Sequence, residues 1–253
     1  MATDVLLGID DTDVLGHRPG TGRLARDLAE HLVANGLVRA NGVIRHQLLV
    51  DPRIPYTSHN SPACVLLTID ADNRGAAFVR VSEAAAQYVA DRSAGGADPG
   101  LCMVGAADVP DDVVAFGWRT SSDVVTKDEA RALAERHGIT LRELGGTGDG
   151  IIGALAAVGL TADGNAGRFL ELAGGLRDLE GVVPASTLRT RGLTLLSTSR
   201  NGEIVPQDVL VDTGNWVRPR LVAGRPVLLV EPTPDGWRCF DRKGHHGAHE
   251  PES

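Results

Sequence analysis

The sequence is poor in cysteine and in aromatic side chains, and what it lacks excludes several classes of protein. Its three cysteines, Cys64, Cys102 and Cys239, are widely spaced and form no CxxC pair, so neither a disulfide framework nor a zinc site is indicated. No window approaches the roughly twenty apolar residues of a membrane span, and the first residues lack the basic start of a signal peptide. The formal net charge of −8 argues against broad, non-specific nucleic-acid binding. We therefore expect a cytoplasmic protein without membrane association.

The apolar residues that are present alternate between strand and helix patterns. The predicted strands are 4–9, 42–50, 64–69, 101–104 and 139–144, and the predicted helices are 21–35, 78–91, 111–121, 126–138 and 150–159. After residue 185 the pattern changes to short strands separated by turn signals, which is typical of a small, mostly antiparallel β module. The predicted fold class is α/β (α+β), with an α/β domain over residues 1–185 and a β-rich module over 186–242. The polar residues 243–253 are predicted to be a disordered tail.

Three carboxylates lie within four residues directly after the first apolar run. They belong to Asp10, Asp11 and Asp13, with Thr12 between them. Because like charges repel, a fold that gathers such groups normally has a cation to bind. The structural alternative is an Asx turn or a helix cap after the strand.

A glycine-flanked threonine follows, at the start of the first predicted helix. Gly20, Thr21 and Gly22 precede an apolar stripe of leucines. The free N–H groups and partial positive charge of a helix N-terminus suit phosphate, although the two glycines alone would also fit a tight turn. Together with the carboxylates, this segment predicts a magnesium–nucleotide site. Asp10, Asp11, Asp13 and Thr21 are its predicted catalytic residues, and Thr12, Gly20 and Gly22 are predicted to bind the phosphates.

A second glycine-rich segment has the spacing GxGxxG, formed by Gly148, Gly150 and Gly153. It follows a predicted strand and opens a helix, as a dinucleotide-binding fingerprint does. The segment after that helix is not a clear second strand, and no acidic residue closes one to bind a ribose. A nucleotide- or base-binding loop, a dehydrogenase fingerprint and a ligand-free glycine turn therefore all remain open, and the dehydrogenase fingerprint is the least favoured.

Polar side chains in two further segments are candidates for substrate contact. Thr57, His59 and Asn60 belong to a proline-containing loop that leads into a core strand, and this loop can present them to a substrate. Arg119 can neutralise phosphate, or it can form an ordinary ion pair.

Four of these segments, in this order, resemble the archaeal tRNA-isoleucine agmatidine synthetases. The matching stretches are the GIDDTD of residues 8–13, Thr21 at the start of the next helix, the proline loop of 51–63, and the GDGIIGALAAVG of 148–159. The resemblance covers roughly residues 4–160. It implies an ATP- and Mg²⁺-dependent kinase-like domain beside a ferredoxin-like domain.

The resemblance also implies a chemistry and roles for the matching residues. The family phosphorylates a cytidine carbonyl oxygen in tRNA, and agmatine then displaces the phosphate. Asp10, Asp11 and Asp13 would hold Mg²⁺, and Thr21 would contact the transferred phosphate or become phosphorylated. Activating an oxygen as a phosphate makes it a leaving group, and such catalysis is mostly alignment and charge neutralisation.

The sequence departs from the family pattern at three places. Asp149 stands where the family has a basic residue between two glycines, and Thr57-Ser58-His59 stands where the family has Lys-Thr-x. Nothing in the sequence supplies the four ligands of the family's zinc ribbon.

These observations predict an ATP- and Mg²⁺-dependent phosphotransferase or ligase. Its acceptor would be a small molecule, an amine such as agmatine, or a cytidine. Two alternatives remain: modification of a tRNA cytidine together with a separate RNA-binding partner, and a non-catalytic nucleotide-binding regulator. The oligomeric state is open, a homodimer included.

Overall fold

The computed structural model describes residues 2–16, 19–54, 59–70, 74–199 and 204–240. The strands are β1 Ala2–Asp10, β2 Arg39–Arg45, β3 Ala63–Asp70, β4 Gly100–Gly105, β5 Thr140–Glu143, β6 Arg168–Leu172, β7 Val182–Pro184, β8 Thr194–Ser197, β9 Leu210–Asp212, β10 Arg220–Val222, β11 Arg225–Thr233 and β12 Gly236–Cys239. The α-helices are α1 Thr21–Ala34, α2 Arg74–Arg92, α3 Asp111–Thr120, α4 Lys127–His137, α5 Gly150–Asp163 and α6 Ala185–Thr190. The mixed α and β composition that the sequence predicts is confirmed.

The chain forms two compact units. Unit 1 holds residues up to 175 together with 220–225, and unit 2 holds 176–219 and the residues from 226 onward. The boundary predicted from sequence, at residue 185, lies further along the chain, and nothing in the sequence signals the return of 220–225 to unit 1. The predicted tail, 243–253, lies outside the described residues.

The strands of unit 1 follow the order β5-β4-β1-β3-β2-β6-β10. All the strand pairs described in this unit are antiparallel, including the two that flank β1. A dinucleotide-binding βαβ unit needs parallel neighbours joined by the helix. The GxGxxG segment instead lies between β5, an edge strand, and α5, so the dehydrogenase alternative is wrong on topology.

Helices cover both faces of this sheet because β1 is apolar on both sides. Val5, Leu7 and Ile9 point into a core shared with α1 and α2, whereas Leu6 points into a second core shared with α3, α4 and α5. Alternation along a strand places successive side chains on opposite faces. Unit 1 is therefore a three-layer sandwich with β1 at its centre.

Helix α5 is buried along almost its whole length, and its small residues let it lie very close to β1. A methyl group added at Gly8 of β1 would overlap the carbonyl oxygen of Ala154. This close approach brings the N-terminal end of α5 to the carboxyl end of β1. The main candidate motifs of the sequence thereby meet.

Unit 2 is a small mixed β structure. Strands β11 and β12 are antiparallel, as are β7 and β9, but β8 pairs with β11 and β9 pairs with β12 in parallel. The expectation of a mostly antiparallel module is therefore wrong for the described strands. Other strands lie along the chain between β8 and β11 and between β9 and β12, which gives the long crossover that parallel pairing requires.

Strand β2 ends earlier than predicted, at Arg45. The chain then continues beside residues 60–62 through two hydrogen bonds, from His46 N to the Pro62 oxygen and from Leu48 N to the Asn60 oxygen. This irregular ladder holds residues 60–62 beside the end of β1, since the next residue, Ala63, pairs with Ile9. Within the part of the chain that the structure describes, no helix is both long and apolar enough to span a membrane.

Candidate active site

A cavity of about 310 Å³ opens in unit 1 at the carboxyl end of β1. Asp10, Asp11 and Asp13 all border it. Desolvation and the neighbouring charges of Asp11 and Asp13 raise the pKa of Asp10 to about 8, against a backbone hydrogen bond that lowers it. Desolvation also raises the pKa of Asp11 to about 6, assisted by the charges of Asp98, Asp13 and Asp149. The fold thus concentrates negative charge where water solvates it poorly.

The backbone at this cluster is unusual as well. Asp11 has a φ of 54°, in the left-handed region that few residues other than glycine adopt. Aspartate tolerates this conformation better than most side chains, but it is still costly. The strain falls directly between Asp10 and Thr12, at the turn that brings the carboxylates together.

Thr12 and Thr21 link this turn to the start of α1. Both side chains are buried, and the Thr12 hydroxyl donates a hydrogen bond of 3.0 Å to the Thr21 hydroxyl oxygen. Thr21 borders the cavity, whereas Thr12 does not. The hydrogen bond from Thr12 therefore holds the Thr21 hydroxyl at the cavity wall.

The N-terminus of α5 forms the adjoining wall through Asp149, Gly150 and Gly153. A methyl group at Gly153 would overlap the Asp10 carboxylate, and one at Gly150 would overlap backbone of the loop before β4. Gly150 thus packs against backbone and Gly153 against the Asp10 side chain, so the start of α5 lies directly against the end of β1.

Two of the helices that begin at the cavity lack a side-chain cap. The residues before α1 and α5 are Gly20 and Asp149, and neither helix start has a capping hydrogen bond to a side chain. At α5, the N–H groups of Gly150, Ile151 and Ile152 bond to the carbonyl oxygens of Asp98, Gly148 and Asp149, so an anion at this helix end would be attracted by its partial positive charge. Helix α4 differs, since Thr126 and Glu129 form a reciprocal capping box.

The opposite wall comes from the proline loop and from the segment between α3 and α4. Asn60 borders the cavity, but its amide donates a 2.7 Å hydrogen bond to the Leu49 carbonyl, which stabilises the loop. Arg53 also borders the cavity and pairs with Asp51 at 2.8 Å. The remaining lining residues on this side, among them Leu48, Ile54, His59, Ser61, Thr120, Asp123, Val124 and Val125, mix polar and apolar side chains. Such a surface suits the non-phosphate part of a ligand.

Lys127 is the basic residue that approaches the glycine-rich segment. It is the first residue of α4, and its ammonium lies 3.1 Å from Asp149 Oδ1 and donates to the Thr147 carbonyl. Sequence reasoning did not select Lys127, Arg53 or Asp123. The sequence does distinguish Lys127 in one way, because lysine is rare in this chain: only two of its 25 basic residues are lysines.

The structure does not bring every candidate residue to the cavity. Arg119 pairs with Glu129 and lies beside the Phe116 ring instead. Gly20, Gly22 and Gly148 do not border the cavity either, and a methyl group at Gly22 would meet Leu170. Thr57 lies outside the described residues.

The chain matches no protein-family model and no curated protein. Solved structures do match. Among them are a complex of TiaS with tRNA, AMPCPP and agmatine, 26% identical with a TM-score of 0.51, and a complex of TiaS with tRNA and ATP, 27% identical with a TM-score of 0.50. The chain is similar to TiaS.

TiaS is an agmatidine synthetase that acts on an isoleucine tRNA. Each of the two matches covers 62% of this chain and 36% of the TiaS chain. The chain thus spans little more than a third of the length of the TiaS structures it matches. The likeness supports a TiaS-like fold for the matched part, in agreement with the resemblance of the motifs.

The carboxylate cluster fits Mg²⁺ only together with further ligands. Among the described residues, no three His, Cys, Asp or Glu side chains are arranged to hold a metal ion by themselves. Mg²⁺ is commonly bound through one or two carboxylates, with phosphate oxygens and water completing the octahedron. Asp10 and Asp11, poorly solvated and mutually repelling, fit that use in the presence of a nucleotide.

Proposed function

We propose that this protein is an ATP-dependent enzyme of the ligase or phosphotransferase type that activates an acceptor oxygen by phosphorylation. The observation that carries the proposal is the meeting of Asp10, Asp11 and Asp13 with the uncapped N-termini of α1 and α5 around one cavity. The similarity of this region to TiaS, which has been crystallised with ATP, supports it.

The cavity combines opposite electrostatic features that suit a metal–nucleotide complex. Helix N-termini and the amine of Lys127 favour phosphate oxygens, while Asp10 and Asp11 favour the cation that accompanies them. Mg²⁺, when bound, would neutralise the developing charge on the transferred phosphoryl group. The chain's own residues would then align the phosphates along α1 and α5, with the Thr21 hydroxyl at the transfer end.

The acceptor is proposed from chemistry and from the TiaS likeness. The γ-phosphoryl group would pass to a carbonyl-type oxygen of the acceptor, releasing ADP, and an amine such as agmatine would then displace the phosphate. TiaS has been crystallised with its tRNA and agmatine. A cytidine, free or in tRNA, is therefore the first acceptor to test. The half-apolar wall with Leu48, Ile54 and Val124 is where it would lie.

The test is transfer of label from γ-³²P-ATP, with Mg²⁺, to cytidine, to tRNA transcripts or to water, with and without agmatine. We expect ADP formation that depends on an acceptor and that is lost in Asp11→Asn. Asp91→Asn is the matched control, because Asp91 is exposed on α2 and bonded to Gln87. Equal ADP formation by Asp11→Asn and wild type would refute the assignment of the site.

The same assay distinguishes an enzyme from the alternative, a non-catalytic nucleotide-binding regulator. Asp149, which adds negative charge beside Asp11, is the observation that favours that alternative. A protein that binds Mg²⁺·ATP tightly, with no turnover under any acceptor, would establish it.

A further inference from the structure

The charge pair between Lys127 and Asp149 at the cavity belongs neither to the carboxylate cluster nor to the backbone groups of the helix N-termini. Lys127 and Asp149 come from different helices and meet beside the glycine-rich segment. Lysine is exceptional in this chain, which has 23 arginines and only two lysines. Apart from His137 with Asp112, the other ion pairs among the described residues use arginine, whereas the cation beside the glycine-rich segment is a lysine.

The two side chains of this pair differ in their surroundings. The Lys127 side chain is 23% exposed and that of Asp149 is 47% exposed. The ammonium is held by the Thr147 carbonyl as well as by Asp149. Asp149 can therefore turn into water at little cost, whereas Lys127 stays at the cavity wall.

The position of Lys127 is also fixed by its helix. It follows Thr126, whose hydroxyl accepts from Glu129 N while the Glu129 carboxylate accepts from Thr126 N. This capping box fixes the first turn of α4, and so the point from which the lysine side chain extends. A compact ammonium that extends from a fixed helical turn is suited to contact phosphate as a point charge.

We propose that Lys127 contacts phosphate in the loaded site. Without ligand, the Asp149 carboxylate forms an ion pair with the Lys127 ammonium, and a bound phosphate chain displaces that carboxylate. The inference rests on the proposed function and names a determinant of phosphate affinity within that site. Asp149 also adds to the negative charge around Asp11, so its departure relieves repulsion as the phosphates arrive.

The pair of substitutions Lys127→Met and Asp149→Asn tests this directly, because the two are expected to act in opposite directions. Binding of Mg²⁺·ATP and of Mg²⁺·tripolyphosphate is measured by calorimetry. We expect Lys127→Met to weaken both roughly ten- to hundredfold, as for loss of a charge-assisted hydrogen bond. Asp149→Asn should tighten both about severalfold, since a competing anion is removed. Arg136→Met is the matched control and should leave binding unchanged, because Arg136 is an exposed cation at the other end of α4 that pairs with Asp112 outside the cavity.

A merely structural bridge between α4 and the glycine-rich segment makes the contrary prediction. Both substitutions would then loosen the site, and both would weaken binding. That result would overturn the inference, as would unchanged binding in Lys127→Met.

Chemical labelling gives a second readout that requires no turnover. Acetylation by a small amine-reactive ester is followed by peptide mass spectrometry, with Lys243 as the internal reference. We expect Mg²⁺·tripolyphosphate to slow acetylation of Lys127 selectively and Asp149→Asn, without ligand, to accelerate it. Labelling of Lys127 at the same rate with and without ligand would contradict direct contact.

The outcomes distinguish this inference from the proposed function. Wild-type binding of Mg²⁺·ATP with no loss in Lys127→Met would leave the function standing and overturn the inference. Binding of tripolyphosphate but not of ATP, with the expected opposite effects, would support the phosphate contact and overturn the nucleotide assignment. Binding of neither ligand by the wild type would overturn both.

Discussion

Replacing Asp10 by asparagine is expected to stabilise the ligand-free protein at neutral pH, even though it should destroy the proposed site. Desolvation and the neighbouring carboxylates raise the pKa of Asp10 from 3.8 to about 8. Between these two values the native protein retains a proton that the unfolded chain has released. Folding is then opposed, and the free energy of unfolding falls as the pH rises through this window.

The magnitude follows from the width of that window. A pH of 7 lies about three units above the ordinary pKa of an aspartate. At roughly 1.4 kcal/mol per unit, this lowers the free energy of unfolding by about 4 kcal/mol. At pH 5 the same reasoning leaves a cost of about 2 kcal/mol. Asparagine has the same size but does not titrate, so it escapes this cost and brings its own constant cost of about 1–3 kcal/mol for a buried amide. The stability advantage of Asp10→Asn should therefore grow by roughly 2–3 kcal/mol between pH 5 and pH 7.

Urea unfolding in EDTA, for wild type and Asp10→Asn at both pH values, measures this difference. The constant amide cost cancels when the two pH values are compared. Asp91→Asn, on the exposed face of α2, is the control and should show no such change. If wild type and Asp10→Asn differ in free energy of unfolding by the same amount at pH 5 and pH 7, the claim that burial in the cluster desolvates Asp10 is refuted.

Three further predictions concern the elements around the site. Gly153→Ala should abolish Mg²⁺·ATP-induced thermal stabilisation, because the added methyl group overlaps the Asp10 carboxylate; a normal thermal shift would show that α5 has room to move. Thr126→Ala should lower the free energy of unfolding by about 1 kcal/mol in urea titrations, since it removes the cap of α4. His46 is buried, and desolvation lowers its pKa to about 3. The native state then cannot take the proton that the unfolded chain binds below about 6.5, so stability should fall with pH from about 6.5 toward 3, and His46→Gln should flatten that slope in acid urea titrations.

Local motifs were accessible from the sequence because each is contained in one stretch of chain. The carboxylates of 10–13 follow β1 directly, and Thr21 begins the next helix, so a strand–loop–helix unit is enough to place them near each other. Thr126 and Glu129 show the same locality, since the capping box that they form lies within one helical turn. The meeting of β1 with the start of α5 was not accessible in this way. It depends on small residues, Gly8 among them, that let the two backbones approach.

The far wall of the cavity shows why the remainder was missed. Arg119 and Thr120 are consecutive residues of α3, yet Thr120 borders the cavity while Arg119 turns to Glu129 on α4. Consecutive residues on a helix point about 100° apart, so the choice between them depends on how α3 rotates against α5. That rotation is set by packing between elements far apart in sequence, through contacts such as the close approach of Gly117 to the Leu160 backbone. Charge chemistry alone favoured the arginine, whereas the geometry places the threonine at the cavity and supplies the cation from Lys127 instead.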